Sequence, residues 1–110
     1  MKINKELMKG STVILILTLL ENKDMYGYEM TKEIERRSNG IFTFKEGTLY
    51  PILHTLEAER YVESYWIEEG GRKRKYYRIT KEGRNQLGEK QREWSLFRTA
   101  VDRVIGEGQG

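Results

Sequence analysis

Three observations predict a mostly helical α+β fold. Four segments carry apolar residues at helical spacing. Two adjacent segments rich in aromatic and β-branched residues flank Gly70-Gly71, as the arms of a hairpin would. The last helical segment, from Thr80 to about Ile105, is longer than so small a body can cover, at roughly 1.5 Å per residue. A chain of 110 residues builds one core.

The first helix is expected after Ser11 as N-cap, ending near Glu21. It is apolar nearly all round, from Val13 to Leu20, so it belongs in the middle of the core. Asn22-Lys23-Asp24 breaks it. A second helix runs from about Gly27 to Ser38, with Met30 and Ile34 inward, and Asn39-Gly40 stops it. Ile41-Phe42-Thr43-Phe44 reads as a short strand or an extended link. The third helix spans about Glu46 to Glu59, with Leu49, Ile52, Leu53 and Leu56 as its core stripe. Pro51 is read as early enough in it to cost little. Strands follow over Tyr61 to Glu68 and Arg74 to Ile79, and Trp66 in the first of them is expected in the core. Thr80 caps the final helix, with Glu82 in its first turn. Leu87, Trp94, Phe97, Val101, Val104 and Ile105 form one stripe along it, which needs a second surface, most simply the same helix of another subunit. The order is that of a winged helix-turn-helix over residues 1–79, a dimerisation helix over 80–106, and a flexible tail over 107–110.

Composition removes whole classes of chemistry. Cysteine is absent and His54 is the single histidine, so thiolate metal sites, disulfides, a cysteine nucleophile and multi-histidine centres are excluded. The serines lack a nucleophile-elbow context, and the glycines form neither a P-loop nor a dinucleotide fingerprint. No enzyme activity, cofactor or metal is therefore expected. The apolar run from Val13 to Leu20 is far shorter than the ~20 residues of a membrane span. Lys2, Lys5 and Lys9 precede it as in a signal peptide. The charged residues after it, with no small-residue cleavage site, favour the cytoplasm.

The 20 basic residues exceed the 17 acidic ones by only three, so the placement of charge matters more than its sum. Between Gly70 and Arg78 lie Arg72, Lys73, Arg74, Lys75 and Arg78, with no acid among them. On a hairpin tip they can reach phosphates or a minor groove, or merely shield a sheet edge. Their position after a helix-turn-helix favours DNA. The third helix is the candidate recognition helix. Lys45, Glu46, Thr48 and Tyr50 form its outer face, with His54 or Thr55 one turn on. Tyr26 and Tyr28 flank Gly27 at the start of the second helix, where their hydroxyls could bond phosphate or their rings could pack on the core. Trp94 has two open readings. Paired across a dimer, with Phe97 beside it, it could line a slot for flat aromatic compounds, or it could simply fill the interface.

Three stretches resemble the PadR family of bacterial transcriptional regulators. They are Tyr26-Gly27-Tyr28-Glu29, then Gly47-Thr48-Leu49-Tyr50-Pro51-Ile52-Leu53-His54-Thr55-Leu56-Glu57, and Ser64-Tyr65-Trp66 followed by Gly71-Arg72-Lys73-Arg74-Lys75-Tyr76-Tyr77-Arg78-Ile79-Thr80-Lys81-Glu82-Gly83. The single terminal helix resembles the short PadR subfamily, whose members dimerise through it and include multidrug-binding repressors. The resemblance implies a homodimeric repressor on double-stranded, pseudo-palindromic operator DNA. It also implies that Trp94, within Glu93-Trp94-Ser95, is the counterpart of a tryptophan that stacks flat effectors at the dimer centre. Arg60 departs from the family, which often has glycine there. The competing expectation is a winged helix that docks an acidic protein and has no operator of its own.

Overall fold

The computed structural model describes residues 11–106. Lys2, Lys5, Lys9 and the tail glycines Gly108 and Gly110 lie outside the described residues. Among these, the elements run α1 (Thr12–Asn22), β1 (Met25–Tyr26), α2 (Gly27–Arg37), α3 (Glu46–Ala58), β2 (Val62–Glu69), β3 (Arg72–Ile79) and α4 (Lys81–Ile105). This is the mostly helical α+β architecture that the sequence predicts.

α1 lies in the middle, with Ile16, Leu17, Leu19 and Leu20 buried, and α2 adds Met30 and Ile34. α3 contributes Leu49, Leu53 and Leu56, and the sheet contributes Met25, Val62, Tyr77 and Ile79. No described helix is long and apolar enough to cross a membrane.

Both helices of the helix-turn-helix end on a left-handed residue. At Asn39 φ is 54°, and the Gly40 amide reaches back to the Glu35 carbonyl. At Arg60 φ is 65°, and the Tyr61 amide donates to the Leu56 carbonyl at 2.9 Å. The second end is therefore a Schellman cap with arginine at the position glycine prefers, at an intrinsic cost of roughly 1 kcal/mol. The expected turn geometry is kept despite the non-glycine residue.

The sheet has strand order β1-β3-β2, all antiparallel. Gly70 and Gly71, with φ of 55° and 80°, make a two-residue turn that needs positive φ at both positions. That fixes the register from Val62 opposite Ile79 to Glu69 opposite Arg72. Sequence reading missed β1, because two residues display no period. Ile41 to Phe44 join neither a helix nor the sheet, and the chain bends at Ile41. Pro51 is the sixth residue of α3, beyond the first-turn donors. It therefore removes one internal hydrogen bond, to the Gly47 carbonyl, which the early-position reading did not allow for.

The base of α4 is pinned to the end of α3. Thr80 accepts from the Gly83 amide at 3.0 Å and donates its hydroxyl proton to the Arg60 carbonyl at 2.6 Å. Its own amide donates to the Tyr61 carbonyl at 3.1 Å. Leu87 is buried within this chain's core, where the sequence reading had placed it in the dimer stripe. From Gln91 to Ile105 all but Asp102 are exposed, so the second half of α4 stands off the body.

Candidate nucleic-acid interface

α3 presents the face that the sequence reading selected. Leu49, Leu53 and Leu56 bind it to the core, which leaves Lys45, Glu46, Thr48 and His54 exposed. Tyr50 is half-buried, because its ring lies over Gly27: a Cβ at Gly27 would stand 2.8 Å from the Tyr50 hydroxyl. Glycine is required there so that the start of α2 and the recognition face can meet. Tyr28 is half-exposed, with the Lys32 ammonium 5.3 Å from its ring centre.

Tyr26 is not on a free loop. It pairs with Tyr76 across the β1–β3 ladder, with ring centroids 5.3 Å apart. The Arg74 guanidinium lies 4.8 Å from the Tyr26 ring centre. Further along this outer face, Arg78 stacks over Tyr65 and lies near Asp24 and Glu63. The structure thus sorts the wing cations by use. Arg74 and Arg78 brace the outer face of the sheet. Lys75 lies 3.8 Å from Glu57 on the inner face. Arg72 and Lys73 remain exposed at the tip, although the register sets them opposite Glu69 and Glu68. Reading β3 by itself overstated the positive charge of the wing, because β2 carries acids that only the register brings alongside.

Trp66 is not in the core. It is 64% exposed, and the reason is geometric. Val62, Ser64, Trp66 and Glu68 share the inner face of β2. α3 covers that face only as far as Ser64, which donates a hydrogen bond to Glu57. Beyond that point the hairpin overhangs solvent. A cleft of about 370 Å³ opens between the wing and α3, lined by Tyr50, His54, Trp66, Lys73, Lys75 and Tyr77 among others.

Three phenols hold their protons more tightly than free tyrosine. Burial raises Tyr50 and Tyr77, and the hydrogen bond donated to Asp24 is the largest cause for Tyr65. The unfolded chain releases these protons near the ordinary value of about 10, where the folded chain still retains them. The folded state then binds more protons than the unfolded one, so stability falls as pH rises. We expect urea midpoints unaffected by these groups below about pH 9 and declining from about pH 10 upward. Tyr65→Phe should lessen that decline. A midpoint that rises through this range would refute the assignment.

The dimer-stripe residues lie apart from this surface. Trp94, Phe97, Val101, Val104 and Ile105 are all exposed on α4, and the Trp94 and Phe97 rings stack with centroids 5.9 Å apart. Leu96, 73% exposed, is a further solvent-facing apolar residue of this half of α4, but it projects well away from that stripe.

Comparison with known proteins agrees with this geometry. The model of the transcriptional regulator PadR-like family matches residues 16–89. An uncharacterized protein of Lysinibacillus sphaericus is 39% identical over 102 residues, covering 91% of this chain and 93% of its own. The solved structure of a transcriptional regulator from Clostridium thermocellum has a TM-score of 0.87 at 36% identity, covering 94% of this chain and 98% of the other. A PadR family regulator from Eggerthella lenta gives 0.82 at 32% identity, covering 91% and 86%.

Proposed function

The chain belongs to the PadR-like family of transcriptional regulators, and from that premise we propose that it acts as a homodimeric repressor on a pseudo-palindromic operator. The family is one of DNA-binding regulators, not of enzymes. The observation that carries the reading is the exposed face of α3 set beside a hairpin whose Arg72 and Lys73 stand free of the body. Residues 1–79 act as the DNA-binding unit in this reading, and residues 80–106 as the dimerisation helix. Thr48 and Tyr50 reach base edges or phosphates, with His54 one turn on, while Lys45, Arg72 and Lys73 neutralise phosphates. Tyr26, Tyr28, Arg74 and Lys75 complete the DNA-contacting set in this reading. Two copies joined along Trp94, Phe97, Val101, Val104 and Ile105 present two α3 helices about one turn of duplex apart.

The test is selection of sheared genomic fragments by the purified protein at physiological salt. A shared palindromic site is the expected result, and recovery of nothing above background overturns the reading. Replacing Arg72 and Lys73 together by Ala should lower affinity and reduce the slope of log K against log salt by about four, since each of the two subunits loses two phosphate contacts. An unchanged slope would favour a winged helix that docks a protein.

An effector slot at the dimer centre extends the proposal. The exposure of Trp94 supports it, because two indoles brought face to face across a dimer can stack a flat aromatic compound between them. An effector that releases DNA must itself bind more weakly once operator is bound.

A further inference from the structure

The overhang of the wing leaves a feature that DNA binding through α3 and the wing tip does not use. Trp66 stands on the inner face of β2 opposite Lys75, with most of its indole in solvent. It lines both the cleft facing α3 and a second hollow towards the tip, which it shares with Glu68 and Lys73. Tyr77 forms the buried floor of the cleft. Its hydroxyl has no hydrogen-bond partner among the described residues.

The lining of the cleft is rich in donors. Lys73 and Lys75 are cationic and the indole Nε1–H can only donate; the nearest acids, Glu57 beside Lys75 and Glu68 across the register from Lys73, lie outside the wall. The ring faces of Trp66 and Tyr50 supply apolar area beside those donors. A duplex backbone is the complement of such a surface, with acceptor-only phosphate oxygens separated by apolar deoxyribose faces. Position agrees with chemistry. If α3 enters a major groove and the wing tip reaches the neighbouring minor groove, one backbone strand separates the two grooves. That strand has to pass between α3 and the hairpin.

We infer that this cleft seats one backbone strand of the bound duplex, and that Trp66 anchors it, with deoxyribose on the indole face and a phosphate oxygen accepting from Nε1–H. The inference rests on the DNA-binding reading above and adds a residue that the recognition face and the basic tip do not include. It also separates two kinds of contact. The lysines contribute through charge, so their effect is salt-dependent. Trp66 contributes through packing and one hydrogen bond, so its effect is nearly salt-independent.

The experiment uses the full chain labelled with 5-fluorotryptophan, which gives two resonances for its two tryptophans. Trp66→Phe identifies which belongs to Trp66. A random-sequence duplex is the probe, because a backbone contact does not depend on base sequence. The Trp66 resonance should shift on saturation and become protected from a neutral paramagnetic quencher. Trp66→Ala should weaken binding roughly tenfold, with the salt slope unchanged. Trp66→Phe should fall between it and the original chain, since it keeps the ring and loses the donor. It also keeps the comparison available if the alanine variant does not fold. A duplex that binds with normal affinity while the Trp66 resonance stays unmoved and unprotected overturns the inference and leaves the DNA-binding reading intact. A resonance moved by a mononucleotide and not by duplex overturns it in favour of a small-ligand pocket. Failure of the original chain to bind any duplex removes the DNA-binding reading itself.

Discussion

Gly83→Ala is expected to destabilise the fold by on the order of 4 kcal/mol, through backbone contact rather than lost hydrophobic area. A Cβ at this position would stand 2.0 Å from the Tyr61 carbonyl oxygen and 2.8 Å from Ile79. The carbonyl cannot step aside, because it accepts from the Thr80 amide, and the Tyr61 amide is held by Leu56. α4 would have to move as a body. That would break the hydrogen bond from the Gly83 amide to Thr80, which is the side-chain cap of the helix. A domain of this size has a total stability of roughly 5–15 kcal/mol, so the variant should melt some 15–25 °C lower. Gly88→Ala is the internal control. It lies on the same helix, and its nearest contact would be the end of the Arg92 side chain at 3.8 Å. There the change should stabilise by up to about 1 kcal/mol, as alanine does in an open helix position. Thermal denaturation of the two variants side by side decides the matter. Equal behaviour would mean that α4 does not approach the Tyr61 carbonyl as closely as described.

This junction also has a functional sense. Thr80 is bonded to Arg60 and Tyr61, just past the C-cap of α3, so α3 and the helix carrying the apolar stripe are joined through three hydrogen bonds at one residue. In a dimer built on α4, a change in how the two copies of that helix cross would be passed to α3 with little slack. That is a physical route by which occupancy of a slot at Trp94 could alter the spacing of two recognition helices.

What the sequence made legible was whatever one element states about itself. Helical periodicity located α1 to α4, Gly70-Gly71 located the hairpin turn, and Asn39-Gly40 and Thr80 marked helix ends that the structure retains. The outward face of α3 was legible too, because the core stripe defines its complement. The features it missed depend on relations between elements. Alternation assigns Trp66 to the inner face of β2, but how far α3 covers that face is set by where α3 ends and how the sheet lies on it. The acids opposite Arg72 and Lys73 become neighbours only through register. Leu87 and Phe97 lie on one helical stripe, yet the body of the domain reaches only the first of them. Periodicity cannot mark that division, since it records direction around a helix and not distance along it.

The division along α4 makes the dimer reading open to a direct test. Phe97→Glu combined with Val104→Glu should convert the protein to a monomer without unfolding it. In the single chain these side chains are 59% and 86% exposed, so neither packs in its core. Surface changes of this kind usually move stability by no more than about 0.5 kcal/mol, and glutamate suits a helix at least as well as valine. Across a two-fold seam the same change would set four carboxylates into an apolar contact, where burying charge without a partner is strongly unfavourable. Sedimentation should then report one chain in place of two, with the urea midpoint of the isolated domain little altered. Operator affinity should fall about a hundred- to ten-thousand-fold, because two linked half-site contacts become one. The salt slope should fall to about half, since one wing and one α3 replace two. A variant that stays dimeric and keeps its operator affinity would place the subunit contact elsewhere. Loss of the dimer with operator affinity retained would show instead that a single copy of α3 and its wing suffices for recognition.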